Sequence, residues 1–404
     1  MKIVRQALVA AVLLPLLAVP ARPAETKPMA RVMVWDRPAL NQTPKVYPAA
    51  ECPAPGMRAF FFEGADYKGK PTKVFAYYAD PEGQPPAGGW PAAVCVHGGG
   101  GTAFPEWVKM WNTFGYAAIS MDLEGHLPNG QAHDQAGPAR TNWFSDISFL
   151  DREQWFYHAV ADVVRAQSLL RSFPEINPNK IGATGISWGG TIVSTVAGVD
   201  PRFAFVVPVY GCGYIHESDN EGIAQWFRPK NMTPAQFLDY RTKWDPSAHL
   251  PHAKMPMLWV NGSNDGTFPM DIFQRSALAM SGPHTLCIRL RMIHSHGPGW
   301  KPREIYAFAD SVVRGEIPLP VVGRPELEAG TGRVRCQVKG QAAQATLCYT
   351  TGAGKWQPRP WESAPGAIKG NEVSAALPKG TTAAFFNVKD DRGWLVSSEY
   401  LEVK

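Results

Sequence analysis

The chain has 404 residues, 45% of them hydrophobic and 19% charged, which is enough for one large domain and a smaller one with ordinary globular composition. Its formal charge of +5, from 40 Lys and Arg against 35 Asp and Glu, is spread without a basic cluster and argues against nucleic acid as a partner. The six cysteines show no C-x-x-C spacing, so no zinc site is indicated, and neither a metal nor another cofactor is expected.

Lys2 and Arg5 precede an apolar run over residues 7–19, and Val19-Pro20-Ala21 supplies small residues for cleavage. Residues 1–21 are therefore predicted to be a secretory signal peptide, too short in its apolar part to span a bilayer comfortably. The mature chain is expected in the periplasm or outside the cell. Residues 22–57, rich in proline and polar side chains, read as an N-terminal arm.

From residue 58 to 320, short apolar strands alternate with amphipathic helices. Strands are predicted over residues 58–62, 73–78, 92–96, 116–121, 181–186, 203–210, 257–260 and 285–292. Helices are predicted over residues 106–113, 152–172 and 273–280, after Ser187, and between Pro302 and Gly315. This alternation predicts an α/β fold: a mostly parallel sheet with helices on both faces. Residues 214–250 interrupt it as a lid-like insertion rich in aromatic side chains, which would either stack on sugar rings or pack onto the domain. Beyond a Pro/Gly linker the pattern changes. Residues 324–404 read as a small all-β sandwich of Ig-like size, with strands over 334–338, 345–349, 372–377, 383–388 and 394–403. Cys336 and Cys348, on strands consecutive in this scheme, are the candidate disulfide pair; Cys95 and Cys287 read as buried thiols.

Ligands of an open α/β sheet bind beyond the carboxyl ends of its strands, so the residues placed there carry the chemistry. Gly185-Ile186-Ser187-Trp188-Gly189 is a G-x-S-x-G pentad between a strand and a helix, the setting that lifts a serine hydroxyl onto a sharp turn. A serine hydroxyl is a weak nucleophile near neutral pH and needs a base, itself held by an acid. Asp265 follows a later strand, and His294 and His296 follow the last one. The set expected is Ser187, Asp265 and His296, with His294 as the alternative base and Asp122 as the alternative acid. His97 begins a run through Gly98, Gly99, Gly100 and Gly101. The backbone N–H groups of Gly98, Gly99 and Trp188 are expected to form an oxyanion hole, with His97 itself structural.

These motifs resemble the α/β-hydrolase superfamily, and within it the acetylxylan-esterase, dienelactone-hydrolase and prolyl-oligopeptidase-like group. The resemblance covers residues 58–315 and implies the same triad and oxyanion hole. Three departures are visible. Trp188 stands where many acetylxylan esterases carry Gln, Ser187 stands where dienelactone hydrolases carry Cys, and no room exists for the β-propeller of prolyl oligopeptidases. The resemblance implies a serine hydrolase cleaving carboxylic esters through an acyl-enzyme, with acetylated carbohydrate as the substrate. The alternatives are a prolyl-oligopeptidase-like peptidase and a non-catalytic polysaccharide- or partner-binding protein.

Overall fold

The computed structural model describes residues 30–141, 144–228 and 231–403; the predicted signal peptide lies outside the described residues. The main sheet holds β1 (Val46–Pro48), β2 (Arg58–Glu63), β3 (Lys73–Ala79), β4 (Trp90–Val96), β5 (Ala117–Met121), β6 (Ile176–Ile186), β7 (Val206–Val209), β8 (Met257–Gly262) and β9 (His284–Arg289). Pairing gives the spatial order β1-β2-β3-β5-β4-β6-β7-β8-β9, antiparallel up to β5 and parallel from β5 onward. Strand β6, which ends at the serine, lies well inside the sheet between β4 and β7.

Strands β5, β7 and β8 are buried along their whole length, and β4 beyond its first residue, because both faces are covered. In β4, Ala92, Val94 and Val96 enter one hydrophobic core while Ala93 and Cys95 enter the other. Alternate side chains point to opposite faces of a strand, so a continuous apolar run serves two cores at once. On one face lie α3 (Trp155–Leu170), α4 (Trp188–Val199) and α8 (Met270–Ala279), packed through Val160, Val163, Ile192 and Phe273. On the other lie α2 (Pro105–Thr113) and α10 (Glu304–Val313), packed through Trp107, Trp111, Ile305 and Phe308.

The arm carries a single turn, α1 (Arg37–Leu40), and buries Trp35 and Leu40 against the first face. In the insertion, α5 (Glu221–Ala224), α6 (Pro234–Asp239) and α7 (Pro246–His249) surround a π-turn at Tyr240–Trp244. Of its aromatics, Phe227, Tyr240 and Trp244 are buried in the main core and Trp226 is exposed. The insertion therefore packs inward and does not present a row of rings to solvent.

The C-terminal region is β throughout: β10 (Val321–Val322), β11 (Glu326–Glu328), β12 (Arg333–Lys339), β13 (Gln344–Thr350), β14 (Trp361–Lys369), β15 (Glu372–Ala376), β16 (Ala383–Lys389), β17 (Leu395–Ser397) and β18 (Leu401–Glu402). One layer is β10, β11, β12 and β15; the other is β13, β16, β17 and β18. Strand β14 joins the two layers, pairing with β13 up to Gly366 and with β15 from Ala367 onward. Sequence reading missed it because Pro365-Gly366 at the crossing reads as a turn. The single strand expected over 394–403 is two short ones.

The candidate disulfide is corrected by this arrangement. Strands β12 and β13 lie in opposite layers, and their cysteines point into different cores: Cys336 packs with Val334 and Val338, Cys348 with Trp361 and Phe385. All six cysteines are free thiols.

The β-region also continues the main sheet. Ser397 of β17 pairs antiparallel with Leu286 of β9. The Ile288 N–H donates to Ser397 Oγ at 2.7 Å, and Asn387 Nδ2 donates to the Ile288 carbonyl at 3.1 Å.

Candidate active site

Ser187 sits between β6 and α4 with φ 58° and ψ −119°, a backbone conformation that L-residues rarely adopt. Its N–H donates to the Val209 carbonyl at 2.9 Å, tying the turn to β7. The glycines around it are required by contact. A Cβ at Gly185 would lie 2.1 Å from the Gly189 carbonyl oxygen, and one at Gly189 would lie 2.0 Å from that of Val96. Both turns of the chain therefore close onto backbone that only hydrogen leaves room for.

The imidazole beside Ser187 is that of His294. Its Nε2 lies 2.8 Å from Ser187 Oγ, and its Nδ1 lies 2.6 Å from Asp265 Oδ2. With Nδ1–H donating to the carboxylate, Nε2 is left to accept the serine proton. Asp265 is buried, and its second oxygen accepts the N–H groups of Thr267 at 2.9 Å and Phe268 at 2.7 Å. The loop after β8 thus turns around its own carboxylate and aims the remaining oxygen at His294. The Tyr210 ring stacks on His294 at 4.4 Å between centroids, and Tyr210 hydroxyl donates to the Ser295 carbonyl.

His296, the base expected from sequence, stands elsewhere. Strand β9 ends at Arg289, and His296 already opens a short helix, α9 (His296–Trp300). That helix turns the ring back toward the glycine loop, where Nε2 accepts the Gly98 N–H at 2.9 Å and Phe104 packs on its face. Burial and the neighbouring His97 push the imidazole down to about 4, so it is neutral at physiological pH and suited to accepting that bond. A helix through His-Gly-Pro-Gly-Trp is not legible from propensity, since glycine and proline are its weakest formers. His294 had one favourable signal, its closeness to the strand end.

The same bond corrects the expected oxyanion hole. Gly98 N–H is engaged by His296, whereas Gly99 N–H makes no such bond among the described residues. Trp188 opens α4, whose first N–H groups face out of the helix. Glu124 and His97 hold the glycine loop. Glu124 Oε1 accepts the Gly100 N–H at 2.8 Å and pairs with Arg140 Nε at 2.7 Å. His97 is buried, with Nε2 accepting the Leu123 N–H at 2.9 Å and Nδ1 against the Gly98 carbonyl. Asp122, the alternative acid, caps its own loop by accepting the Glu124 and His126 N–H groups at 2.9 and 2.8 Å. The Trp188 ring leans against Phe144, Trp155 and Phe156 in the main core. Among the described residues no three metal-ligating side chains converge.

Comparison with known proteins agrees with this architecture. Residues 42–216 match the Acetyl xylan esterase (AXE1) family model, and residues 144–299 match that of the Prolyl oligopeptidase family. The chain is similar in structure to an acetyl xylan esterase from a Paenibacillus species, with TM-score 0.57 and 21% identity over 68% of this chain and 92% of that one. It is also similar to acetyl xylan esterase 1 from a Thermoanaerobacterium species, with TM-score 0.51 and 17% identity over 64% and 86%. An acylaminoacyl peptidase from Pyrococcus horikoshii matches at TM-score 0.50 and 19% identity, over 65% of this chain but 43% of the peptidase. At these identities the structural likeness speaks for the fold. Fold, family match and site together define the class: the protein is an α/β-hydrolase, of the serine-type enzymes that hydrolyse carboxylic esters.

Proposed function

We propose that this chain is a secreted carbohydrate esterase that removes acyl groups, acetyl in the first place, from a polysaccharide such as xylan. The observation that carries the chemistry is the continuous hydrogen-bonded line from Ser187 through His294 to Asp265. Ser187 Oγ attacks the ester carbonyl while His294 Nε2 takes its proton, and Asp265 stabilises the imidazolium that forms. Negative charge developing on the carbonyl oxygen falls to the N–H groups of Gly99 and Trp188. Collapse of the tetrahedral intermediate expels the sugar hydroxyl, which receives the proton held by His294. Water, activated by the same imidazole, then releases the acid from Ser187.

The carbohydrate assignment draws on the acetyl xylan esterase match over residues 42–216. Secretion draws on the basic and apolar pattern of residues 1–21. Among the described residues no helix is long and apolar enough to cross a membrane.

Acetate release from acetylated xylo-oligosaccharides tests the reading, together with fluorophosphonate labelling of wild type and Ser187→Ala. We expect release and labelling in wild type and neither in the variant. The match to the Prolyl oligopeptidase family over residues 144–299 favours a second reading, a peptidase. Cleavage of proline-containing peptides with no deacetylation would replace the first by the second.

A further inference from the structure

The β-region has no residue in the triad, yet it touches both loops that carry the acid and the base. Asn264 Nδ2 donates to the carbonyls of Gln357 at 2.6 Å and Arg359 at 2.9 Å. Asn264 Oδ1 accepts Ser263 Oγ–H at 2.9 Å, and Ser263 Oγ in turn accepts the Arg291 N–H at 3.1 Å. Arg291 then reaches over with Nη1 to donate to the Trp361 carbonyl at 2.6 Å. The result is a closed ring of hydrogen bonds through three segments: 263–264, 291 and 357–361. It passes one residue before Asp265 and three residues before His294.

The third segment is itself rigid. Trp356 and Trp361 are buried and stacked 6.4 Å apart, and the Arg359 guanidinium lies 3.7 Å over Trp356 while donating to the Gly354 carbonyl at 2.7 Å. Trp356 N–H also donates to Asp219 Oδ2 of the insertion at 2.6 Å. On the far side of the acid, a Cβ at Gly266 would meet Gln357 Nε2 at 2.4 Å, so the side chain of Gln357 rests directly on that backbone. Arg291 is held at φ 54°, a left-handed conformation that a free loop would relax.

We infer that the C-terminal β-region is a working part of the active site, its segment 356–361 clamping the acid and histidine loops through Asn264, a positioning residue. The ring fixes the separation of Asp265 from His294 without touching substrate, because its polar atoms are spent on one another. It rests on Ser187, His294 and Asp265 being the triad. A misplacement of about 1 Å at such a pair costs on the order of a hundred-fold in rate. The carboxylate and imidazole of a loosened site would still bind substrate, so the loss belongs in kcat.

The experiment uses the full chain and compares wild type with Asn264→Ala, Asn264→Asp and the control Arg392→Ala. Arg392 donates to the carbonyls of Ile317 and Pro318 at 2.7 and 2.9 Å, a contact that ties the β-region to the linker away from the site. Read out are kcat, KM, the fluorophosphonate labelling rate and the far-downfield proton resonance of the His294–Asp265 bond. We expect N264A to lose roughly ten- to a hundred-fold in kcat, with KM little changed and the downfield resonance broadened. N264D, which turns a donor toward two carbonyls into an acceptor, should lose at least as much. R392A should keep kcat and the resonance while lowering the melting temperature. Unchanged kcat in a folded N264A, or an equal kcat loss in R392A, overturns the inference. Should N264A not fold, Gly266→Ala probes the same clamp from its other side by displacing Gln357, with the same two outcomes. Labelling that survives Ser187→Ala would instead overturn the triad itself, whatever Asn264 does.

Discussion

At the scale of single residues, the two histidines after β9 do different work, and substitution separates them. His294→Ala removes the proton acceptor and should lower kcat by about four to six orders of magnitude. His296→Gln keeps an acceptor for the Gly98 N–H and should lose little, whereas His296→Phe leaves that N–H unpaired against the ring and should lose roughly ten-fold or more in kcat. Acetate-release kinetics on the three variants check both statements. Another residue makes a pH prediction. Asp162 on α3 is buried, and burial pushes its carboxyl up to about 8. Among the described residues its Oδ1 has no hydrogen-bond partner. A carboxyl whose folded value is raised contributes stability that is complete below 3.8 and lost as pH rises through about 8. Asp162→Asn should therefore raise the melting temperature over wild type, with a gain that grows between pH 6 and pH 9 in thermal melts.

Among the elements, those with the strongest chemical demands were the most legible. The serine turn needs glycine at two backbone contacts, so its pentad is written in the sequence. Gly189→Ala should cost on the order of 4 kcal/mol or prevent folding, as measured by denaturant unfolding, since the new methyl meets the Val96 carbonyl oxygen at 2.0 Å. The central strands were equally plain, because a strand buried on both faces tolerates only apolar side chains. Three features escaped. Helix α9 is built from helix breakers, β14 crosses between layers at Pro365-Gly366, and the layer assignment of β12 and β13 depends on pairing across the sandwich. The cysteines were decided by the face each takes, Cys336 in one core and Cys348 in the other. Burial pushes Cys336 and Cys348 up to about 12, so both are protonated and poorly reactive in the folded chain. Dithiothreitol should leave the melting temperature unchanged, and thiol titration should find six free cysteines only after denaturation.

For the molecule as a whole, acid stability follows from buried histidines. His158, His249 and His296 are each pushed down by burial to about 4 from 6.5. Groups with depressed folded values contribute stability that is complete above 6.5 and lost as pH falls through about 4. Melting temperature should therefore drop steeply between these limits. Ser187, Asp265 and the mostly parallel sheet were readable because strand ends report on function one at a time, whereas the sequence favoured His296 over His294, the imidazole that meets Ser187. The clamp was not readable, since Asn264 and residues 356–361 are separated by most of a domain and meet only through backbone carbonyls, which no side-chain pattern announces.

The ring that joins Asn264, Arg291 and Trp361 also sets a schedule. A ribosome delivers Ser187, then Asp265, then His294, and only afterwards the segment that holds the last two in register. Domains fold as they emerge, from the N-terminal end onward, so the sheet and its serine turn can assemble on a nascent chain whose acid and base loops are still unbraced. Esterase activity then becomes a report on completed synthesis. A product cut short before residue 356 would carry Ser187, Asp265 and His294 without the segment that holds the last two in register.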